Sequence, residues 1–106
     1  MIGGFIVVTQ PTRVIIRAIG PSLGQFGVPD ALANPQLELH DATSTIGRND
    51  DWQTTQKAEI QATGLQPSDP KEAAVLVTLQ PGQYTAQVRG KPEATGIGVV
   101  QVFFLP

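Results

Sequence analysis

The sequence predicts an all-β fold: an antiparallel β-sandwich, jelly-roll or immunoglobulin-like, of about seven to eight strands with one short helix. Three observations carry this. Apolar and β-branched runs of five to nine residues recur along all 106 positions. Eleven glycines and nine prolines punctuate them at the spacing that turns require. No long helical pattern alternates with the runs, so a parallel α/β sheet is not expected.

The first strand is expected over Gly4–Thr9, closed by Gln10-Pro11, and the second over Thr12–Ile19, stopping at Gly20-Pro21. Both are near-continuous apolar runs, as core strands of a sandwich would be. With two residues between them they read as a hairpin. Arg13 and Arg17 interrupt the second run. Arg17 calls for an acid across the sheet or a stem laid along the surface. Pro21–Pro35 reads as a packed loop with a helical turn near Asp30–Ala33. In Gln36–His40, Leu37 and Leu39 alternate with Glu38 and His40, the pattern of a half-buried strand. Thr45–Arg48 is its hairpin partner, turning through Asp41-Ala42-Thr43-Ser44. A short helix follows over Thr54–Ala62, with Asp51 or Thr54 to cap it and Gly64 to end it. Ala73–Leu79, Tyr84–Arg89 and Ile97–Leu105 complete the strands. Tyr84, Ala86 and Val88 share one face.

Composition bounds the function. A net charge of −2 leaves no basic stripe for nucleic acid and no polybasic patch for lipid. The absence of cysteine excludes thiolate metal sites, disulfides and cysteine nucleophiles. No apolar run approaches the roughly 20 residues of a membrane span. Met1-Ile2-Gly3-Gly4-Phe5 lacks the charged region of a secretion leader, and positions 1–106 read as a single sandwich module of a longer protein.

Gly20-Pro21-Ser22-Leu23-Gly24 fits the Gly-x-Ser-x-Gly nucleophile elbow, with Asp30 and His40 following in order. An elbow needs a helix directly behind the serine, and Gln25-Phe26-Gly27-Val28-Pro29 cannot supply a long one. A tight Gly-Pro turn is the preferred reading. His40 is the sole histidine and falls on the solvent face of its strand. No enzyme is expected, and no cofactor.

Asn49-Asp50-Asp51-Trp52 is the densest polar cluster, with Asp41 one hairpin away. Two readings stand. These oxygens could hold calcium, and Trp52 could stack on a carbohydrate. Alternatively the Asn and Asp residues bond their own backbone and Trp52 plugs the core. Both ends of the sequence are apolar strands, with Met1, Ile2, Phe5 and Val7 at one and Phe103, Phe104 and Leu105 at the other. An uncovered apolar strand is an open edge that invites pairing. These seven residues are therefore the candidates for self-association into a homo-oligomer or polymer.

The chain resembles a module repeated in large secreted and cell-surface bacterial proteins. The resemblance rests on Val14–Leu23 (Val-Ile-Ile-Arg-Ala-Ile-Gly-Pro-Ser-Leu), Phe26–Asp41, Asn49–Trp52 and Leu79–Gly90. The second half is similar to β-sandwiches of the prepeptidase C-terminal type, through Asn49-Asp50-Asp51 and Pro81-Gly82-Gln83-Tyr84. The resemblance implies a non-catalytic accessory role in attachment, secretion or binding, an extracellular or cell-surface location, and no active-site residues.

Overall fold

The computed structural model describes residues 2–7, 10–90 and 96–105. Seven antiparallel strands form two sheets. One sheet has the order β1-β6-β3-β4, built from β1 (Ile2–Val7), β6 (Gly82–Gly90), β3 (Pro35–His40) and β4 (Thr45–Asn49). The other has the order β5-β2-β7, built from β5 (Ala73–Leu79), β2 (Thr12–Ile19) and β7 (Val99–Leu105). A short helix, α1 (Lys57–Ala62), lies in the β4–β5 connection. The expected all-β sandwich is the fold found. Among the described residues no helix is long and apolar enough to cross a membrane.

Period-two alternation explains the main core. Val14, Ile16 and Ala18 from β2 meet Leu37 and Leu39 from β3, and Ala86 and Val88 from β6, between the sheets. The opposite faces of β3 and β6 carry Gln36, Glu38, His40, Gln87 and Arg89 and stay at least partly wet. β2 has no wet face through its centre. Ile15 points the other way, into a second cluster with Ala74, Trp52 and Ile60. The 52–65 segment thus covers the outer side of the three-stranded sheet. Each fully buried Val or Ile contributes about 1.5–3 kcal/mol, so β2 anchors both layers.

Three local expectations are corrected. β1 and β2 are not a hairpin. β1 pairs with β6 (Phe5↔Tyr84) and β2 with β5 and β7, so the chain crosses between sheets after β1. Val7 and Val14 both face the inter-sheet core, and a two-strand ribbon would have left one sheet without its edge. The helical turn expected at Asp30–Ala33 lies earlier, as a 3-10 turn over Pro21–Phe26 started by proline at its first positions. At Asp30–Ala33 there is a turn, with Asp30 at a left-handed φ of 57°, then an isolated bridge from Ala31 to Ile97, and the Leu32 amide donates to Ile97 O at 2.8 Å. Neither Asp51 nor Thr54 caps the helix. A 3-10 turn occupies Trp52–Thr54, and α1 starts only at Lys57 with Gln56 at the capping position. Gln56 makes no cap bond because its amide is engaged on β5.

Candidate functional site

The Gly-Pro-Ser turn is organised by a residue far away in sequence. Glu72 is 0% exposed. Its Oε2 accepts from the Gly20 amide at 2.9 Å, the Ser22 amide at 3.0 Å and the Ser22 hydroxyl. Its Oε1 accepts from the Asp69 amide at 3.2 Å. Successive backbone N–H groups that converge on an anion form a nest, and here the chain fills its own nest. Only glycine fits at position 20, since a Cβ there would lie 2.3 Å from Leu32 O. Ser22 is therefore buried and donating to a carboxylate, with a 3-10 turn rather than a long helix behind it. His40 bonds elsewhere, to Glu38 Oε1 and Thr45 Oγ1, both at 3.1 Å. No nucleophile–base pair is formed among these residues.

The polar cluster after β4 is divided by the fold. Asp41 sits at the β3–β4 turn, where its Oδ1 accepts from the Thr43 and Ser44 amides, each at 2.8 Å. Those bonds hold its carboxyl below the usual carboxylate range. Asn49 lies at the far end of β4, about 13 Å along the strand at ~3.3 Å per residue. Its amide is fully engaged: Nδ2 donates to Asp51 O (3.2 Å) and Thr55 Oγ1 (3.0 Å), and Oδ1 accepts from the Ala74 amide (3.0 Å). Trp52 is 4% exposed, its indole N–H donating to Asp69 O at 3.2 Å. It fills the second core cluster. Asp50 and Asn49 line a cleft of about 270 Å³, with Gln36, Glu38 and Arg48 opposite. Among the described residues no three His, Cys, Asp or Glu side chains form a group able to hold a metal.

The four sheet edges are treated differently. β5 is closed by side-chain amides that take the place of a neighbouring strand. Gln56 Nε2 donates to Leu76 O at 2.9 Å while Gln56 Oε1 accepts from the Leu76 amide at 3.0 Å. One pair along, Asn49 Oδ1 accepts from the Ala74 amide. β4 is short, is bulged opposite Leu39/His40, and carries an exposed Arg48. These are recognised ways of blunting an edge. β1 and β7 are the remaining edges, one in each sheet and on the same side. Among the described residues no side chain bonds to the backbone of either.

Of the terminal-strand candidates, Met1 lies outside the described residues, and Ile2 is described only in its backbone pairing with Gln87. The Val7 side chain is buried in the inter-sheet core, so Val7 offers a partner only its β1 backbone. Phe5 stacks on Tyr84 at 5.6 Å and meets Phe104 edge-on at 6.2 Å. Phe103 and Leu105 pack on the second core cluster. Phe104 is 54% exposed, and Ile6, a residue outside the sequence-based set, is 56% exposed. Sequence reasoning also missed Glu72 and Gln56. Their partners lie 50 and 20 residues away, beyond any local pattern.

No family model matches this sequence, and no curated protein does. Among solved structures, the pre-peptidase C-terminal domain of a collagenase from Bacillus anthracis superposes with a TM-score of 0.56. The match covers 96% of this chain and 74% of that one. The chain has the pre-peptidase C-terminal fold. At 12% identity the likeness is one of fold. The Pro81-Gly82-Gln83-Tyr84 segment gains a physical reason within that fold. Tyr84 Oη donates to Gln80 O at 2.6 Å, four residues upstream, and pins the turn that starts β6. This is the tyrosine-corner device of β-sandwiches.

Proposed function

We propose that this chain is a non-catalytic accessory module of a secreted or cell-surface protein. On this reading it joins copies of itself into a fibre or array along the side where β1 and β7 end the two sheets. The accessory role is supported by the fold it shares with the collagenase domain and by the burial of Ser22, which donates to Glu72 and does not meet His40. One observation carries the self-association reading. The β5 edge is capped by Asn49 and Gln56, whereas β1 and β7 are uncapped and flanked by exposed Ile6 and Phe104. An extended partner strand would find main-chain hydrogen bonds there and apolar contacts beside them.

Light scattering across a concentration series tests it, with electron microscopy of the concentrated protein. The expected result is mass that grows with concentration and reverts to monomer in Ile6→Lys and Phe104→Lys. A monodisperse monomer at the highest concentration would sink the proposal. A second reading, a carbohydrate or calcium ligand beside Asn49 and Asp50, is favoured by the 270 Å³ cleft they line. It expects chemical shift changes at Asp50 and Arg48 on titration with calcium or a glycan panel.

A further inference from the structure

A second hollow, of about 330 Å³, lies on the outer face of the three-stranded sheet. Its floor is Arg17 from β2 and Gln101 from β7, its sides are Gln66 and Ser68, and its lip is Leu23 and Phe26. The volume falls in the range of small-molecule sites. The hollow uses the Gln101 side chain on the face of the sheet, not the β7 edge backbone, so ligand binding by the monomer tests it separately from association.

Donors dominate the floor. Arg17 and Gln101 are directly opposed in the β2–β7 register. Arg17 Nε donates to Gln101 Oε1 at 3.0 Å, Nη2 donates to the same oxygen, and Nη1 donates to Leu65 O at 3.2 Å. A guanidinium has five N–H groups, so two remain. With its oxygen turned to Arg17, Gln101 keeps both amide hydrogens for another acceptor. The guanidinium also lies 5.1 Å from the Phe103 ring centroid, which fixes its plane. Burial takes water from it and holds its pKa below the usual value, with Glu72 opposing. Among the described residues no acidic side chain lines the hollow, and Glu72 behind it is saturated by its four donors.

The lip is of opposite character. Phe26 is 80% exposed, the most exposed large apolar side chain among the described residues. It ends the 3-10 turn just before Gly27, which takes a left-handed φ of 79° and sets the direction in which the chain leaves. An aromatic side chain is thus displayed beside a fixed cation that is short of acceptors.

We propose that this hollow binds a small ligand bearing a carboxylate beside a ring or apolar face. The carboxylate lies on the free N–H groups of Arg17 and Gln101, and the face lies against Phe26 and Leu23. A planar guanidinium edge with a neighbouring amide matches the two oxygens of a carboxylate. A dianion such as phosphate would bring a second negative charge toward the Glu72 carboxylate behind the hollow and is disfavoured against a monoanion.

Amide-detected NMR titration with benzoate tests this, with benzyl alcohol and inorganic phosphate as matched probes. Benzoate is expected to shift the Gln101 side-chain amide and the backbone amides of Gln66, Ser68 and Phe26, with the other two probes at least about tenfold weaker. Phe26→Ala, at an exposed position that leaves the fold intact, is expected to weaken benzoate several-fold. Arg17→Lys keeps the charge and removes the fork, and is expected to weaken it about tenfold or more. Shifts scattered over other surfaces, equal responses to phosphate or benzyl alcohol, or unchanged affinity in Phe26→Ala would each overturn the assignment. Should Arg17→Lys fail to fold, the Phe26→Ala and probe comparisons decide alone.

Discussion

Glu72 is the residue whose loss the structure makes most costly. Its carboxylate is fully buried and accepts from Gly20, Ser22 (twice) and Asp69, tying the end of β2 to the start of β5. Glu72→Ala strands four donors. Each buried orphan costs roughly 1–3 kcal/mol, offset by the desolvation the carboxylate no longer suffers. The net for removing one partner of a buried charged network is about 3–5 kcal/mol. Against a total of about 5–15 kcal/mol for a domain of this size, this is a large share. In urea, at about 1–3 kcal/mol per molar, the midpoint should fall by roughly 2 M. Glu72→Gln keeps the volume but turns one accepting oxygen into a donor facing other donors, so it should lose about 2–3 kcal/mol. Ser22→Ala removes one donor of the four and should lose about 1–2 kcal/mol, with a coupling near 1 kcal/mol in a double-mutant cycle with Glu72→Gln. A Glu72→Ala protein within about 1 kcal/mol of the parent, or a glutamine variant as stable as glutamate, would refute the nest.

Two further outcomes follow from the same contacts. Gln56→Ala releases both hydrogen-bonding groups of Leu76. It should speed hydrogen exchange at the Leu76 amide, lower stability by about 1–3 kcal/mol and add association through β5; an unchanged Leu76 exchange rate counts against the capping role. Asp41 is held below its ordinary value by backbone bonds from Thr43 and Ser44. A depressed carboxyl stabilises the folded turn in full above its unfolded value, about pH 3.9, and loses that contribution as pH falls through the lower folded value. The Asp41 carboxyl resonance should therefore titrate below the ordinary value of about 3.9, and titration at that value would show that the turn bonds do not form in solution.

How much of this was legible in the sequence depended on which contacts were local. β3 and β6 were read correctly because each has one wet face, and Leu37/Leu39 or Ala86/Val88 then stand out by period two. The same signal gave the unbroken run Val14–Ile16, which announces two covered faces without naming the cover. That cover is the 52–65 segment, whose short helix was expected but carries no local signal of the sheet it packs on. A short Gln10-Pro11 link fits a hairpin and a crossing between sheets equally well; only the strand partners, 79 residues on for Phe5↔Tyr84 and 65 for Arg13↔Thr78, decide it, and these are tertiary.

The candidate site shows the same limit in sharper form. Trp52 could be placed in the core from its size alone. Asn49 could not be distinguished from a ligand, because what it binds is the backbone of Ala74. Gly20-Pro21-Ser22 did carry a usable signal: two amides and a hydroxyl at the end of a core strand demand an acceptor. Nothing local says which of nine acids supplies it.

The edges connect these observations to function. Phe5 against Phe104 seals the gap between the sheets on the β1/β7 side without any backbone pairing. The core is therefore closed there, and what remains for a partner is the strand backbone flanked by Ile6 and Phe104. With both edges on one side, a two-fold axis normal to the sheets would pair β1 with β1 and β7 with β7 at once, closing a dimer that is the repeating unit of the fibre or array. Each substitution would then act twice in one isologous interface. Ile6→Lys would set two like charges near the axis, so its effect on the association constant should exceed that of the same charge placed at Gln83, one strand inward. Equal effects at the two positions would mean that association runs through the polar outer face of the four-stranded sheet instead.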